Sequence, residues 1–273
     1  MTKEIKKEAR TAIRSVSPHP VPVTIVLIVL ILLLSFLSLR VDGTWDVLMT
    51  LSDALEQGTA VELESLLTSS SGSGVSSLLS LALSVMILML DTGYTIYCLH
   101  AASGEETALG NLFDSFGCFF RIIWFDILHA AILYLWSCIY TLAASVLLML
   151  TGWVIGYLLL LPLLVPAVCA VYAYRQGIYL LVESARTDTP KPAVLCLRES
   201  RTLMQGHKGE LFRLDLSFLG WYLLMLLVPP TAIWVMPYTS VSYACFFRRL
   251  HPAAPQSEIE LDDGDLPFCT GAV

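Results

Sequence analysis

The sequence predicts an all-α fold: a polytopic transmembrane bundle of about six spans, with a further helix lying along the cytoplasmic interface. Three observations carry the prediction. From Ile122 to Val182 the only fixed charges are Asp126 and Arg175. A bilayer core takes about 20 apolar residues per helical crossing, so this block holds two spans. A helix in water shows a polar face every turn, and the block shows none. Composition agrees, with 56% of the chain hydrophobic and 14% charged, against about 25% charged in ordinary soluble domains. Finally, the basic residues alternate with the apolar runs in the way that membrane topology requires.

The chain opens on a basic amphipathic segment, 1–20. Lys3, Lys6, Lys7, Arg10 and Arg14 interleave with Ile5, Ala9, Ala12 and Ile13, the pattern of a short helix resting on an anionic leaflet. Pro18, Pro20 and Pro22 interrupt it. The first span, 21–39, makes about 28 Å of helix at 1.5 Å per residue. A cleaved signal peptide is the rival reading. The apolar run is longer than a signal core and no small-x-small site follows, so the span is read as uncleaved.

Residues 40–77 are polar and acidic, with Arg40 as their one basic residue, and end in a Ser/Gly run, 69–77, of flexible character. Trp45, Leu48, Met49 and Leu55 fit an apolar stripe resting on the outer surface, and a disordered loop fits equally well. The second span, 78–99, is interrupted by Asp91, and a polar connection runs from His100 to Phe120. The third span is 121–150. Thr151-Gly152-Trp153 turns the chain into the fourth, 153–182, where Pro162 and Pro166 predict kinks.

The connection 183–210 reads as the interfacial helix. Thr189 is its predicted N-cap, Pro190 its first residue and Gly206 its stop. Ala193, Leu197, Ser200 and Met204 fall on one side, and Arg198, Arg201 and Gln205 largely on another. The fifth span, 211–228, is entered through Arg213 and Asp215. Pro229-Pro230 turns it into the sixth, 231–247, which Pro237 breaks. The segment 248–273 gathers Glu258, Glu260, Asp262, Asp263 and Asp265 and predicts a disordered, acidic cytoplasmic tail. The N-terminal segment, the 183–210 connection and the Arg248-Arg249 pair hold the Lys/Arg excess. With about six crossings they all fall on the cytoplasmic side and both termini are inside.

Several short patterns stand along this frame. They are Gly104-Glu105-Glu106 with Leu112-Phe113-x-x-Phe116, then Ser200-x-x-x-Met204-x-Gly206-His207-Lys208-x-x-x-Phe212. Ser217-Phe218-x-Gly220-Trp221, Trp234-x-x-Pro237-Tyr238 and Ala244-x-Phe246 follow. Together they resemble the bacterial integral membrane family catalogued as domain of unknown function 975, over nearly the whole chain as far as Phe247. The interval from Leu135 to Pro166 is longer than the family pattern, and the acidic tail lies outside it. The resemblance implies a multi-pass protein of the bacterial cytoplasmic membrane, and it supplies no activity.

An ionisable group inside a span costs about 2.5–3.5 kcal/mol on insertion scales and is a functional suspect by default. Asp91, Asp126, His129, Arg175 and Asp215 form a candidate polar layer in the cytoplasmic third of the spans. Asp126 and His129, three apart, share a helix face. A hydrated proton or ion path and a structural ion pair near the interface are the two readings of that layer, the structural one favoured. Arg198, Arg201, His207, Lys208 and Arg213 are candidate contacts for an anionic phospholipid headgroup. A helix C-cap with a basic turn is the plainer reading of Gly206-His207-Lys208.

No HExxH, GxSxG or GxxxxGK[ST] stands in the chain. The cysteines, seven in number, are scattered without a CxxC pair, so no metal site, cofactor or disulfide framework is expected. No basic stripe is long enough for nucleic acid. The sequence thus predicts a non-catalytic membrane accessory or scaffold, partnered by the bilayer and by an unidentified membrane protein. A small transporter-like or lipid-interacting component is the alternative.

Overall fold

The computed structural model describes residues 2–57, 74–151, 165–186 and 190–252. All regular structure among them is helical. In chain order the helices are α1 (Thr2–Ser15), α2 (Pro20–Val41), α3 (Thr44–Gln57), α4 (Gly74–Ser103) and α5 (Phe119–Thr151). Helical residues 165–174 then lead through a turn at Arg175-Gln176 into α6 (Gly177–Ser184). The chain ends in α7 (Ala193–Leu203), α8 (Lys208–Leu227) and α9 (Ala232–Leu250).

Four helical stretches are long and apolar enough to cross a membrane: Pro20–Val41, Gly74–Ser103, Asp114–Met149 and Val165–Ser184. They overlie the first four predicted spans. Helices α8 and α9 overlie the fifth and sixth but are more polar, α8 carrying Lys208, Glu210, Arg213 and Asp215. The predicted turn at Gly152-Trp153, the kink at Pro162 and most of the acidic tail lie outside the described residues. So does the Ser/Gly run up to Ser73; its last residues, from Gly74, are the first turn of α4. Arg248 and Arg249, assigned by sequence to the tail, complete the last turn of α9.

Pro20 and Pro22 open α2, where a missing N–H costs nothing because the first helical N–H groups have no carbonyl partner. Gly43, at φ 72, ends it. Helices α2 and α4 run antiparallel, since Thr24 Oγ1 meets Tyr94 OH at 2.8 Å while Ser38 meets Ser80 at 3.1 Å. Residues 44–57 take the helical alternative, with Trp45 edge-on to Phe36 at 5.5 Å and the Arg40 guanidinium 4.5 Å from the Trp45 ring.

The core is confined to one end. In α4 the buried residues run almost without a break from Met89 to Ala101, whereas the half before Met89 buries only Leu83. At this end Arg121 donates to Ser184 Oγ at 2.9 Å, Arg248 to Ser103 Oγ at 2.7 Å, and Thr107 to the Ser17 carbonyl at 3.2 Å. The end of α4, the start of α5, the end of α6 and the end of α9 therefore meet in one head, with α1 and α7 beside them. Away from the head the helices turn apolar side chains outward. In α5 no residue from Asp126 to Met149 is buried. An apolar surface of that extent needs an apolar medium or partner to cover it.

Helix α7 matches the predicted pattern: Ala193, Leu197, Ser200 and Met204 are buried, and Arg198, Arg201 and Gln205 are exposed. Ser200 Oγ donates to the Ala173 carbonyl at 3.0 Å, tying α7 to the stretch before α6. Its start differs from the prediction. Pro192 occupies the N-cap, and a proline disfavours helical geometry in the residue before it, so Lys191 cannot begin the helix. Thr189 lies outside the described residues. Gly206, at φ 83, sits in the expected stop.

Helix α1 corrects the picture of a helix resting on a leaflet through its apolar face. Ile5 and Ala9 are buried in the core shared with α9. Arg249 donates to Glu8 at 2.6 and 3.0 Å and to Glu4 at 3.4 Å. Lys6 Nζ donates to the Ser217 carbonyl at 3.0 Å and sits 4.2 Å from the Phe218 ring centroid. Burial there pushes the Lys6 ammonium below the usual lysine range, with Arg10 adding to the effect. Only the basic side, Lys3, Lys7, Arg10 and Arg14, is left to face a leaflet. Partly exposed ion pairs contribute about 0.5–1 kcal/mol, so Glu8→Ala is expected to raise tryptic cleavage at Lys3 and Lys7 about two- to fivefold. Unchanged cleavage kinetics would show that the Glu8–Arg249 pair does not hold α1 in place.

Candidate functional site

Among the described residues, three helical segments bring predicted polar residues into direct contact. Tyr172 and Arg175, three apart, share a face at the end of the 165–174 stretch; Asp215 comes from α8 and Tyr243 from α9. The Arg175 guanidinium forms an ion pair with Asp215, and Tyr172 OH donates to the same carboxylate oxygen at 2.6 Å. Arg175 also lies 4.5 Å from the Tyr243 ring centroid, a cation–π contact. The Tyr243 and Tyr222 hydroxyls meet at 2.8 Å. Arg175, Asp215, Tyr222 and Tyr243 line an open cleft of about 430 Å³ together with Phe212, Leu216 and Leu219.

Of the other members of the predicted layer, Asp91 on α4 and Asp126 on α5 are near enough for their charges to interact. Asp126 Oδ2 and His129 Nε2 are buried without a hydrogen-bond partner, and the His129 ring lies 5.9 Å from that of Phe125. Among the described residues no hydrogen bond or ion pair joins this group to Arg175 and Asp215.

Of the candidate headgroup contacts, Arg198, Arg201 and Arg213 are exposed. Together with Lys208 they make no ion pair among the described residues. His207 is engaged differently, its Nδ1 lying 2.9 Å from Glu210 Oε2 within the first turn of α8.

Sequence reasoning missed a second polar network, in the head. Glu105 pairs with Arg186 at 2.8 Å and lies 3.8 Å from His100. Glu183 pairs with Arg248 and lies 3.1 Å from His251. Lys191 reaches Glu199 at 2.8 Å. The tyrosines around Arg175 were missed as well, although Tyr172 at helical spacing from a lone arginine is a signal that could have found them.

Cys98, Cys138, Cys169, Cys196 and Cys245 are free thiols. Among the described residues no three His, Cys, Asp or Glu side chains are grouped to hold a metal ion.

The fold and these clusters define an all-helical protein with membrane-like helices and internal ion pairs. The family model described as "Protein of unknown function (DUF975)" matches residues 1–254, and the chain belongs to that family. No curated protein and no solved structure matches it. The family match stops short of the acidic cluster at Glu258–Asp265, in keeping with the expected departure there.

Proposed function

We propose that this is a six-span protein of the bacterial cytoplasmic membrane, with both termini in the cytoplasm, that acts as a non-catalytic accessory or scaffold. The observation that carries the reading is the closure of the Arg175–Asp215 pair. Its charges are spent on each other and on Tyr172, and among the described residues no hydrogen bond or ion pair joins it to the remaining ionisable groups of the layer. A proton or ion path needs groups that exchange partners along a continuous line, and a closed pair supplies a strut instead.

The topology draws support from the head. The segments richest in Lys and Arg border one end of the bundle, as a cytoplasmic face does. On that face the exposed Arg198, Arg201 and Arg213, unpaired among the described residues, favour contact with anionic phospholipid, at about 1 kcal/mol per basic residue near the surface.

Two measurements test the reading. Membrane-impermeant labelling of single tags is expected to reach Asp46 and Gln205 from opposite sides of the membrane; labelling from one side overturns the six-span layout. Asp126→Asn is expected to change folded yield alone. A proton-linked activity that disappears in this variant while the fold persists would move the protein to the transporter class.

A further inference from the structure

The connection between α4 and α5, polar by sequence, has an unexpected outer surface. It folds as two 3-10 turns, Leu109–Leu112 and Asp114–Cys118, laid back along α4. Ser115 Oγ donates to the Met89 carbonyl at 2.7 Å, and Leu112 is buried against Gly93. At 1.5 Å of rise per residue, Met89 lies about 21 Å along α4 from Ser103, so the connection folds back along the whole buried part of that helix.

Apart from the exposed Glu106, the polar side chains of the connection are engaged within the fold. Glu105 pairs with Arg186, and Asn111 donates to Asp114 at 2.9 Å while meeting His100 at 3.0 Å. Backbone donors are used inside the turns, with Phe113 N–H on the Gly110 carbonyl at 2.8 Å and Phe116 N–H on that of Phe113 at 3.0 Å. What faces outward is aromatic: Phe113 is 54% exposed and Phe120 85%, with Phe116 beside them. This surface runs without interruption into Trp124 and Ile127, the outer side of α5.

We propose that this connection is a membrane-inserted foot, immersed in the lipid of the cytoplasmic leaflet through Phe113, Phe116 and Phe120. The inference rests on the six-span reading and extends it beyond the apolar stretch Asp114–Met149 to the turn before it, Leu109–Phe113. Irregular backbone enters an apolar phase only when its own polar groups are satisfied, and here Glu105, Asn111, Asp114 and the Phe113 and Phe116 N–H groups are. Phenylalanine, apolar throughout its ring, is favoured in the bilayer interior by about 0.3–0.6 kcal/mol per residue on insertion scales. The lipid also explains why three phenylalanines face away from a core that lies a single residue away at Leu112.

The test is photocrosslinking of the full chain in phospholipid nanodiscs. p-Benzoylphenylalanine replaces Phe113, Phe116 or Phe120 one at a time, with Tyr134 in mid-α5 and the exposed Glu106 as reference positions, and adducts are read by mass spectrometry. Lipid adducts are expected at the three foot positions and at Tyr134, with none at Glu106. Lipid at Tyr134 together with protein adducts, or none, at the foot overturns the inference and leaves the spans standing. No lipid at Tyr134 overturns the spans themselves.

Discussion

Gly93→Ala is expected to be the most damaging single-methyl change in the head, lowering stability by about 3 kcal/mol or more in a thermal-unfolding assay of the detergent-solubilised protein. A Cβ built at Gly93 would lie 2.0 Å from the Leu112 carbonyl oxygen and 2.6 Å from its carbon. Those are backbone atoms, and the turn holding them is pinned by Ser115 to the same face of α4. No rotamer relieves the clash, so the whole 109–118 connection must move away from α4.

Gly177 supplies the internal control. There the added carbon would meet the Phe125 ring edge at 2.8 Å, a side chain that can be shortened. Gly177→Ala is therefore expected to cost less, about 1–2 kcal/mol, and to be recovered largely by Phe125→Leu. Gly93→Ala should gain nothing from Leu112→Ala, because the obstructing atoms remain. If Gly93→Ala melts with the parent, the connection does not lie against α4 in solution, and the placement of the foot fails with it.

The periodicity of α7 was legible because a helix half sunk in a protein surface must alternate its faces. The four apolar spans were legible from length and composition alone, as any helix that satisfies its backbone in an apolar phase must be. Helix α1 was read correctly as an amphipathic helix and wrongly as to what its apolar face touches. Ile5 and Ala9 suit a lipid surface or a protein groove equally, and only Arg249, distant in sequence, decides between them. The 3-10 turns were hidden for a related reason. Glu105, Asn111 and Asp114 raise the polarity of the connection, but each spends its polarity inward on residues that folding brings near. Hydropathy sums side chains without knowing which way they point.

The same limit applies to the polar layer, where five ionisable residues stand at similar predicted depth and, among the described residues, only Arg175 and Asp215 of the five are joined as an ion pair. The pairing has a measurable consequence at Arg175. Losing one partner of a fully buried ion pair costs about 3–5 kcal/mol, because the survivor is left uncompensated. Arg175 keeps about a third of its side chain exposed, so water takes up part of that cost and a loss of about 2 kcal/mol is expected for Asp215→Asn. Arg175→Met should cost a similar amount by stranding Asp215, whose Oδ1 already lacks a hydrogen-bond partner. Combining the two removes both charges while leaving Tyr172 an amide oxygen to donate to, so the double variant should be more stable than either single one. Such recovery is the signature of a strut, whose members matter only to each other. Losses that simply add would show two independent groups, and folded single variants with unchanged melting would return Arg175 and Asp215 to the list of residues held for chemistry.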